Sequence, residues 1–375
     1  MKILIVRTYP SILDSSHYNI QEIGLAKALA KLGNEVGVVL YNGHEKDRTE
    51  TVSVNGREGV SDITVYHLHG YQILKNGFFP SLKKIVKLYD VIQVHEYDQI
   101  TSWFYYAWSK KKVVIYHGPY YDAFNKRYNL KCKIFDSLFL KLKNNRERIC
   151  FTKSYAAAEF LKSKGFQYAV PVGVGLDPDN FKTGDESRKV PDLCKQDQIN
   201  LLYVGKIEER RNSLFLLDVF GELCKERNDI HCIVVGNGEE EYLSAFLEKA
   251  KPLLQSGRME YCKSLPQTDI AELYQNAQLM IFPTNYDIFG MVVLEALYYN
   301  LPVVSSFNGA ADMLIQDDVN GKIVNNFDVK DWRKAIDTVL KTENYQKIKK
   351  NLESVPSTRY TWDGVADIMM KELRK

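Results

Sequence analysis

Short apolar runs of strand length recur along this chain, each followed by a stretch with helical spacing, and the series runs twice. Strands that alternate with helices build βαβ units, and βαβ units build parallel sheets with helices on their faces. In the first half the expected strands are Lys2–Val6, Val36–Tyr41, Val65–His69, Val91–His95 and Val113–Tyr116. A helix is expected from Tyr18 to Leu32, where Ile23, Ala26, Leu29 and Ala30 recur at helical spacing and Gly33 stops it. In the second half the strands are Asn200–Val204, His231–Val235, Met259–Tyr261, Met280–Phe282 and Val303–Ser305. Helices are expected between them at Leu214–Lys225, Glu239–Lys251, Asp269–Gln275 and Met291–Tyr299.

The chain has 375 residues, more than one hydrophobic core usually serves, so two domains are expected. Between Pro171 and Pro191 the pattern breaks into Gly, Pro, Asp and Ser, with the charged run Asp185-Glu186-Ser187-Arg188-Lys189. That stretch is the expected linker. Two doubly wound halves imply a binding cleft between them.

With 45% hydrophobic and 26% charged residues, the chain is neither disordered nor fibrous. A net charge of +3 is too mild to argue for nucleic acid. None of the six cysteines forms a CxxC pair, which reads as reduced thiols in a cytoplasmic protein. The opening Met1–Arg7 is too short an apolar run for a signal peptide, and no stretch approaches the roughly 18 apolar residues of a membrane span.

Two stretches carry chemistry. In Met280–Leu297 a strand ends at Pro283, a loop carries Asp287, and a helix opens near Gly290. The first amides of a helix lack intrahelical partners, and its dipole favours an anion there. Gly290 clears the approach for a phosphate, while Glu295, roughly 6 Å further along the axis, can reach a ribose. Alone, Glu295 reads as well as a solvated helix residue. In Leu201–Asn212 a buried strand delivers Gly205 and Lys206 to its carboxyl end, with Arg211 in the following turn. Two cations there can neutralise the charge growing on a departing diphosphate. A Lys/Arg-rich turn taken alone is usually a solvated loop.

Together these stretches resemble the family 4 retaining glycosyltransferases, which have the GT-B fold. The resemblance extends over nearly the whole chain through Val204-Gly205-Lys206 to Arg211, Gly236-Asn237-Gly238, Leu265–Tyr274, Asp287–Glu295 and Asn308–Asp312. It includes Val114–Gly118 in the first half and the crossover Val172–Phe181. It implies an α/β fold with two Rossmann-like domains facing across a cleft: an acceptor domain over 1–185, a nucleotide-sugar domain over 190–355, and a final helix within 356–375 returning to the first. It implies that Lys206 and Arg211 hold the donor diphosphate beside Gly205, that Glu295 holds the ribose, and that Leu265 flanks the base. The amides of Phe289, Gly290, Met291 and Val292 would cradle phosphate. Asp287 would bond the donor sugar and His117 would sit over the reacting centre.

The expected reaction moves a sugar with retention from a nucleotide-sugar, a UDP-sugar before GDP-mannose, to a saccharide or lipid-linked saccharide. It needs no cofactor or metal. Three positions depart from the family: Asp287 replaces a Glu, Asn212 a Gly, and Asp14-Ser15-Ser16 the first glycine pair. A GT-B epimerase, a phosphorylase and a non-catalytic scaffold are the alternatives.

Other motifs carry less. Asp177-Pro178-Asp179 spells a metal-binding DxD but lies in the crossover. His67 and His69 share a strand face without a third ligand. Gly236-Asn237-Gly238 has Glu241 where a dinucleotide fingerprint needs glycine. Lys126–Arg148 carries eight basic residues against two acidic, interleaved with Phe135, Leu138, Phe139, Leu140 and Leu142. With Lys83, Lys84 and Lys87 near Phe78 and Phe79, it suggests peripheral docking to an anionic membrane face. A solvated amphipathic helix is the plainer reading.

Overall fold

The computed structural model describes residues 1–13, 20–56, 59–73, 75–141, 147–181 and 193–375. Asp14-Ser15-Ser16, the expected helix start at Tyr18, Leu142 and the Asp185–Lys189 run lie outside the described residues. The chain divides into two compact units, Met1–Asp177 with Thr361–Lys375, and Pro178–Tyr360.

The first unit runs β1 (Lys2–Val6), α1 (Gln21–Lys31), β2 (Glu35–Tyr41), β3 (Arg48–Gly56), β4 (Gly59–Leu68), β5 (Tyr71–Ile73), β6 (Asn76–Phe78), α2 (Leu82–Val86) and β7 (Val91–His95). It continues through α3 (Ile100–Trp108), β8 (Lys112–His117), α4 (Lys126–Phe135), β9 (Cys150–Thr152), α5 (Tyr155–Ser163) and β10 (Ala169–Pro171). A wide π-type turn over Asp136–Leu140 prolongs α4. The sheet order is β10-β9-β8-β7-β1-β2-β4-β3. All its neighbours are parallel except β3 and β4, which pair antiparallel from Arg48↔His67 to Gly56↔Gly59. Apolar side chains of β1, β2, β7 and β8 fill the interior with little or no exposure, as expected of a sheet covered on both faces.

The hairpin β3–β4 was not expected as such. Arg48–Gly56 is rich in Thr, Glu and Ser and mostly exposed, so it lacks the buried apolar run that marks the other strands. Its partner β4 correspondingly begins at Gly59 rather than Val65.

The second unit runs β11 (Ile199–Val204), α6 (Ser213–Glu226), β12 (Ile230–Val235), α7 (Glu240–Gln255), β13 (Met259–Cys262), α8 (Gln267–Asn276) and β14 (Leu279–Phe282). It then adds α9 (Met291–Tyr298), β15 (Val303–Ser305), α10 (Gly309–Leu314), β16 (Gly321–Ile323), α11 (Val329–Leu340) and α12 (Thr342–Glu353). The sheet order is β13-β12-β11-β14-β15-β16, parallel throughout.

The final helix, α13 (Trp362–Leu373), belongs to the first unit. Trp362 is 2% exposed against Gly24 of α1, where a side chain on the glycine would overlap the indole. Leu176 bridges Thr361, and the Lys112 ammonium donates to the Leu373 carbonyl at 2.6 Å. The stretch expected to be linker is thus partly core. Val172, Val174 and Leu176 are buried, and the unit boundary falls at Asp177 rather than near residue 185. No helix among the described residues is long and apolar enough to cross a membrane.

Candidate active site

In the second unit the chain leaves β11 toward β12 and β13 on one side, then returns at β14 to build β15 and β16 on the other. Loops from the carboxyl ends of β11 and β14 therefore diverge, and the crevice between them is where open α/β sheets bind ligands. A cavity of about 490 Å³ lies on one side of that crevice, at the carboxyl ends of β11, β12 and β13, lined by Gly205, Lys206, Gly236, Asn237, Leu265 and Ile270 among others. Gly236 is required there, because a Cβ would run into the Gly205 carbonyl.

Two loops are laced together beside this cavity. The Thr284 hydroxyl and the Asn285 amide both donate to the Arg210 carbonyl, at 3.0 and 2.9 Å. The Arg210 guanidinium donates to the Tyr286 carbonyl at 3.3 Å. This lacing sets Arg211, from the turn after β11, in a charge-assisted hydrogen bond with Asp287 of the β14–α9 loop. Arg211 also lies over the Phe282 ring, 5.1 Å from its centroid. Burial, aided by Arg210, lowers its pKa to about 10, and it remains a cation at neutral pH. Asn212 adopts φ 52°, the left-handed geometry asparagine tolerates where the family has glycine.

The far oxygen of Asp287 accepts the Phe289 amide at 3.2 Å, so that amide is already occupied by protein. Of the four amides expected to cradle phosphate, Phe289 is thus engaged within the protein, while Gly290, Met291 and Val292 stand at the N-terminus of α9. Gly290 takes φ 75° there, with Asn308 behind it accepting from the Ala310 and Ala311 amides. Lys206 is exposed at the cavity wall.

Glu295 is 4% exposed, which removes the solvated-residue reading. It accepts from the Tyr274 hydroxyl of α8 at 2.8 Å, and Tyr274 stacks on Tyr299 with ring centroids 5.9 Å apart. It is not among the residues lining the cavity.

The first unit has its own switch point, between β1 and β7. His117 ends β8 with no exposure, stacked on Phe160 at 5.4 Å. Its Nδ1 stands 2.5 Å from the Glu96 carboxylate, which also accepts the Gly118 amide at 3.1 Å. On the neighbouring strands His95 and Arg7 both hold Glu22, at 3.1 and 2.8 Å. Burial alone would raise the Glu22 pKa, but His95 and Arg7 outweigh it and hold this carboxyl far below the ordinary range.

Sequence reasoning missed Glu96, His95, Arg7 and Glu22. The available signal was a charged side chain directly after a buried strand run, as in Val6-Arg7 and Val94-His95-Glu96. Glu96, Asp98 and His117 bring donor atoms within 4.8 Å of one another, yet Lys131 already pairs with Asp98 at 2.7 Å. Asp177 of the DxD triplet pairs with Lys27 at 2.7 Å. His67 is buried against Glu50 at 3.1 Å, while His69 falls beyond the strand beside Tyr71.

Residues 185–354 match the model for glycosyl transferases group 1, and residues 23–177 match that for glycosyltransferase family 4. A D-inositol 3-phosphate glycosyltransferase of Segniliparus rotundus is 24% identical over 209 residues, 55% of this chain and 46% of that protein. One from Mycobacterium sp. strain JLS is 28% identical over 171 residues, 44% of this chain and 38% of its own. The matches thus span less than half the length of these curated relatives. Among solved structures, HepE of Anabaena in complex with UDP superposes with a TM-score of 0.68 at 16% identity, each chain covered in full. Sucrose-phosphate synthase from Thermosynechococcus elongatus gives 0.68 at 15%, covering all of this chain and 98% of that one. At such identities the likeness is one of fold, and with the two family models it places the chain in the family 4 glycosyltransferases of the GT-B fold.

Proposed function

We propose that the protein transfers a sugar from a nucleotide-sugar, a UDP-sugar first, to a saccharide or lipid-linked saccharide, with retention of anomeric configuration. The observation that carries this reading is the Arg211–Asp287 pair at the switch point of the second sheet, next to the 490 Å³ cavity at the ends of β11, β12 and β13. A diphosphate arriving there meets Lys206 and Arg211 as cations and the opening amides of α9 as donors. These groups stabilise the charge that develops as the diphosphate leaves. Leu265 and Ile270 offer the base an apolar wall, and Asp287 is freed toward the donor sugar when Arg211 turns to phosphate.

HepE was solved with UDP and with UDP-glucose, which supports a uridine nucleotide as the first donor to test. The acceptor is assigned to the first unit, where His117 and Glu96 stand at strand ends. A cytoplasmic site of action at the inner face of a membrane, in cell-surface polysaccharide synthesis, belongs to the same reading.

The experiment is saturation-transfer NMR of the pure protein with UDP-glucose, UDP-N-acetylglucosamine, UDP-galactose and GDP-mannose in EDTA. Selective binding of one donor, lost in Glu295→Ala, supports the reading and names the sugar. Binding of none sinks it.

A further inference from the structure

We infer that helices α3 and α4 of the first unit form a docking face for an anionic lipid bilayer. The two helices meet where the buried rings of Trp103 and Phe135 are in contact at 6.3 Å. Each also exposes large apolar side chains. Leu130, Ile134 and Leu138 recur every four residues along α4 and its prolonging turn, 60%, 53% and 58% exposed. On α3, Phe104 and Trp108 sit one turn apart, 58% and 42% exposed, with ring centroids 5.7 Å from each other. Among the described residues neither set is buried by a partner. Large side chains scattered singly over a surface need no explanation, but a row of three on one helix and a pair of rings in contact on a second that touches it do.

The charge around this face selects the occupant. Lys126, Arg127 and Lys133 on α4, Lys141 after its prolonging turn, and Lys110 after α3 are exposed and form no ion pair among the described residues. The one acidic residue within Lys126–Lys141, Asp136, is turned inward to Lys164 and the Tyr97 hydroxyl. An apolar stripe rimmed by unpaired cations fits the boundary between anionic headgroups and acyl chains. A second copy of this chain would bring the same cations against themselves, an isologous contact that the charge opposes.

The inference rests on the proposed transfer reaction only for its purpose, access to a lipid-linked acceptor. The docking itself is measurable without turnover.

Flotation with vesicles of equal parts phosphatidylglycerol and phosphatidylcholine, at moderate salt, tests it. The protein floats with these vesicles and stays down with phosphatidylcholine alone. The triple variant L130S/I134S/L138S lowers partitioning at least about tenfold without lowering the melting temperature, since these side chains already face water. K126Q/R127Q/K133Q weakens partitioning and flattens its salt dependence. Trp108 supplies a second signal: the other tryptophans, Trp103, Trp332 and Trp362, are at most 2% exposed. Quenching by brominated acyl chains therefore reports Trp108 and disappears in W108F. Protein that stays down with the mixed vesicles overturns the inference, as does a triple variant that floats undiminished. So does a dimer in sedimentation that the triple variant dissolves. Donor binding by NMR, followed in parallel, separates failure of docking from failure of the transferase reading.

Discussion

The Glu96 carboxylate stands 2.5 Å from Nδ1 of His117. His117 is wholly buried, so water cannot orient it. Glu96 does, through the charge it places beside Nδ1. Glu96 itself sits at φ 59°, a geometry uncommon for a non-glycine residue and frequent where function holds the backbone.

Glu96→Gln keeps the shape and removes the charge. Turnover is expected to fall about tenfold to hundredfold, the worth of a hydrogen bond to a charged group. The stability profile gives an independent readout. Burial works to raise the Glu96 pKa, but the His117 charge and hydrogen bond, Lys153 and the Gly118 amide bring it down to about 2. A depressed carboxyl stabilises the fold above its unfolded value, 4.5, and that contribution is lost as pH falls through about 2. Melting temperatures taken from pH 5 downward should fall less steeply in the variant than in the wild type. Parallel curves would mean the pair carries no such linkage.

How much of this was legible beforehand depended on pattern strength. Strands such as β1, β7 and β15 were bounded to the residue, because each is a short apolar run closed by turn or charged residues. Lys206, Arg211 and Asp287 stood out in the sequence as strand-end loop residues that match the family's motifs. The Arg211–Asp287 bond was not readable. It depends on Thr284 and Asn285 reaching the Arg210 carbonyl, a side-chain and backbone lacing that no spacing rule encodes. Glu96 and Glu22 were invisible for another reason. A buried carboxylate in a sequence looks like any other, and only its partners, His117, His95 and Arg7, reveal the site.

That lacing changes what is expected of the two cations. Lys206 is exposed and no ion pair involving it is found among the described residues, so Lys206→Ala should leave stability within about 0.5 kcal/mol. It should still reduce turnover roughly a hundredfold. Arg211→Ala instead leaves Asp287, 7% exposed, without its main partner. It should cost about 1–3 kcal/mol of stability as well as turnover. Urea unfolding of both variants checks this, and Arg211→Ala/Asp287→Ala should recover part of the loss. A double variant no more stable than Arg211→Ala would remove the pair from the account.

Tyr274 and Glu295 form a buried hydrogen bond between α8 and α9. If Tyr274 positions the carboxylate for a ribose, Tyr274→Phe should raise the KM for donor several-fold and leave kcat nearly unchanged. Glu295→Ala should abolish detectable donor binding. Equal losses of kcat and stability in Tyr274→Phe would reduce the tyrosine to a packing role.

Gly290 opens α9 at φ 75°, and a Cβ there would lie 3.2 Å from Asn308 Oδ1 and 3.3 Å from the Phe282 ring. Gly290→Ala therefore carries both a backbone and a packing cost, about 1–2 kcal/mol together. The Asn308 oxygen it would press on accepts the Ala310 and Ala311 amides, so strain passes into α10. The same Cβ would stand where the helix N-terminus meets phosphate. UDP affinity should then fall by more than the lost stability accounts for, and comparison with Asn308→Ala separates the two effects. Asn308→Ala removes the cap and destabilises α10 by about 1 kcal/mol, but leaves the approach to α9 open. Calorimetric titration with UDP should show weaker binding in Gly290→Ala than in Asn308→Ala at matched fractions folded. If the two bind UDP alike, the opening of α9 is a structural turn and the phosphate site lies elsewhere on the β11 loop.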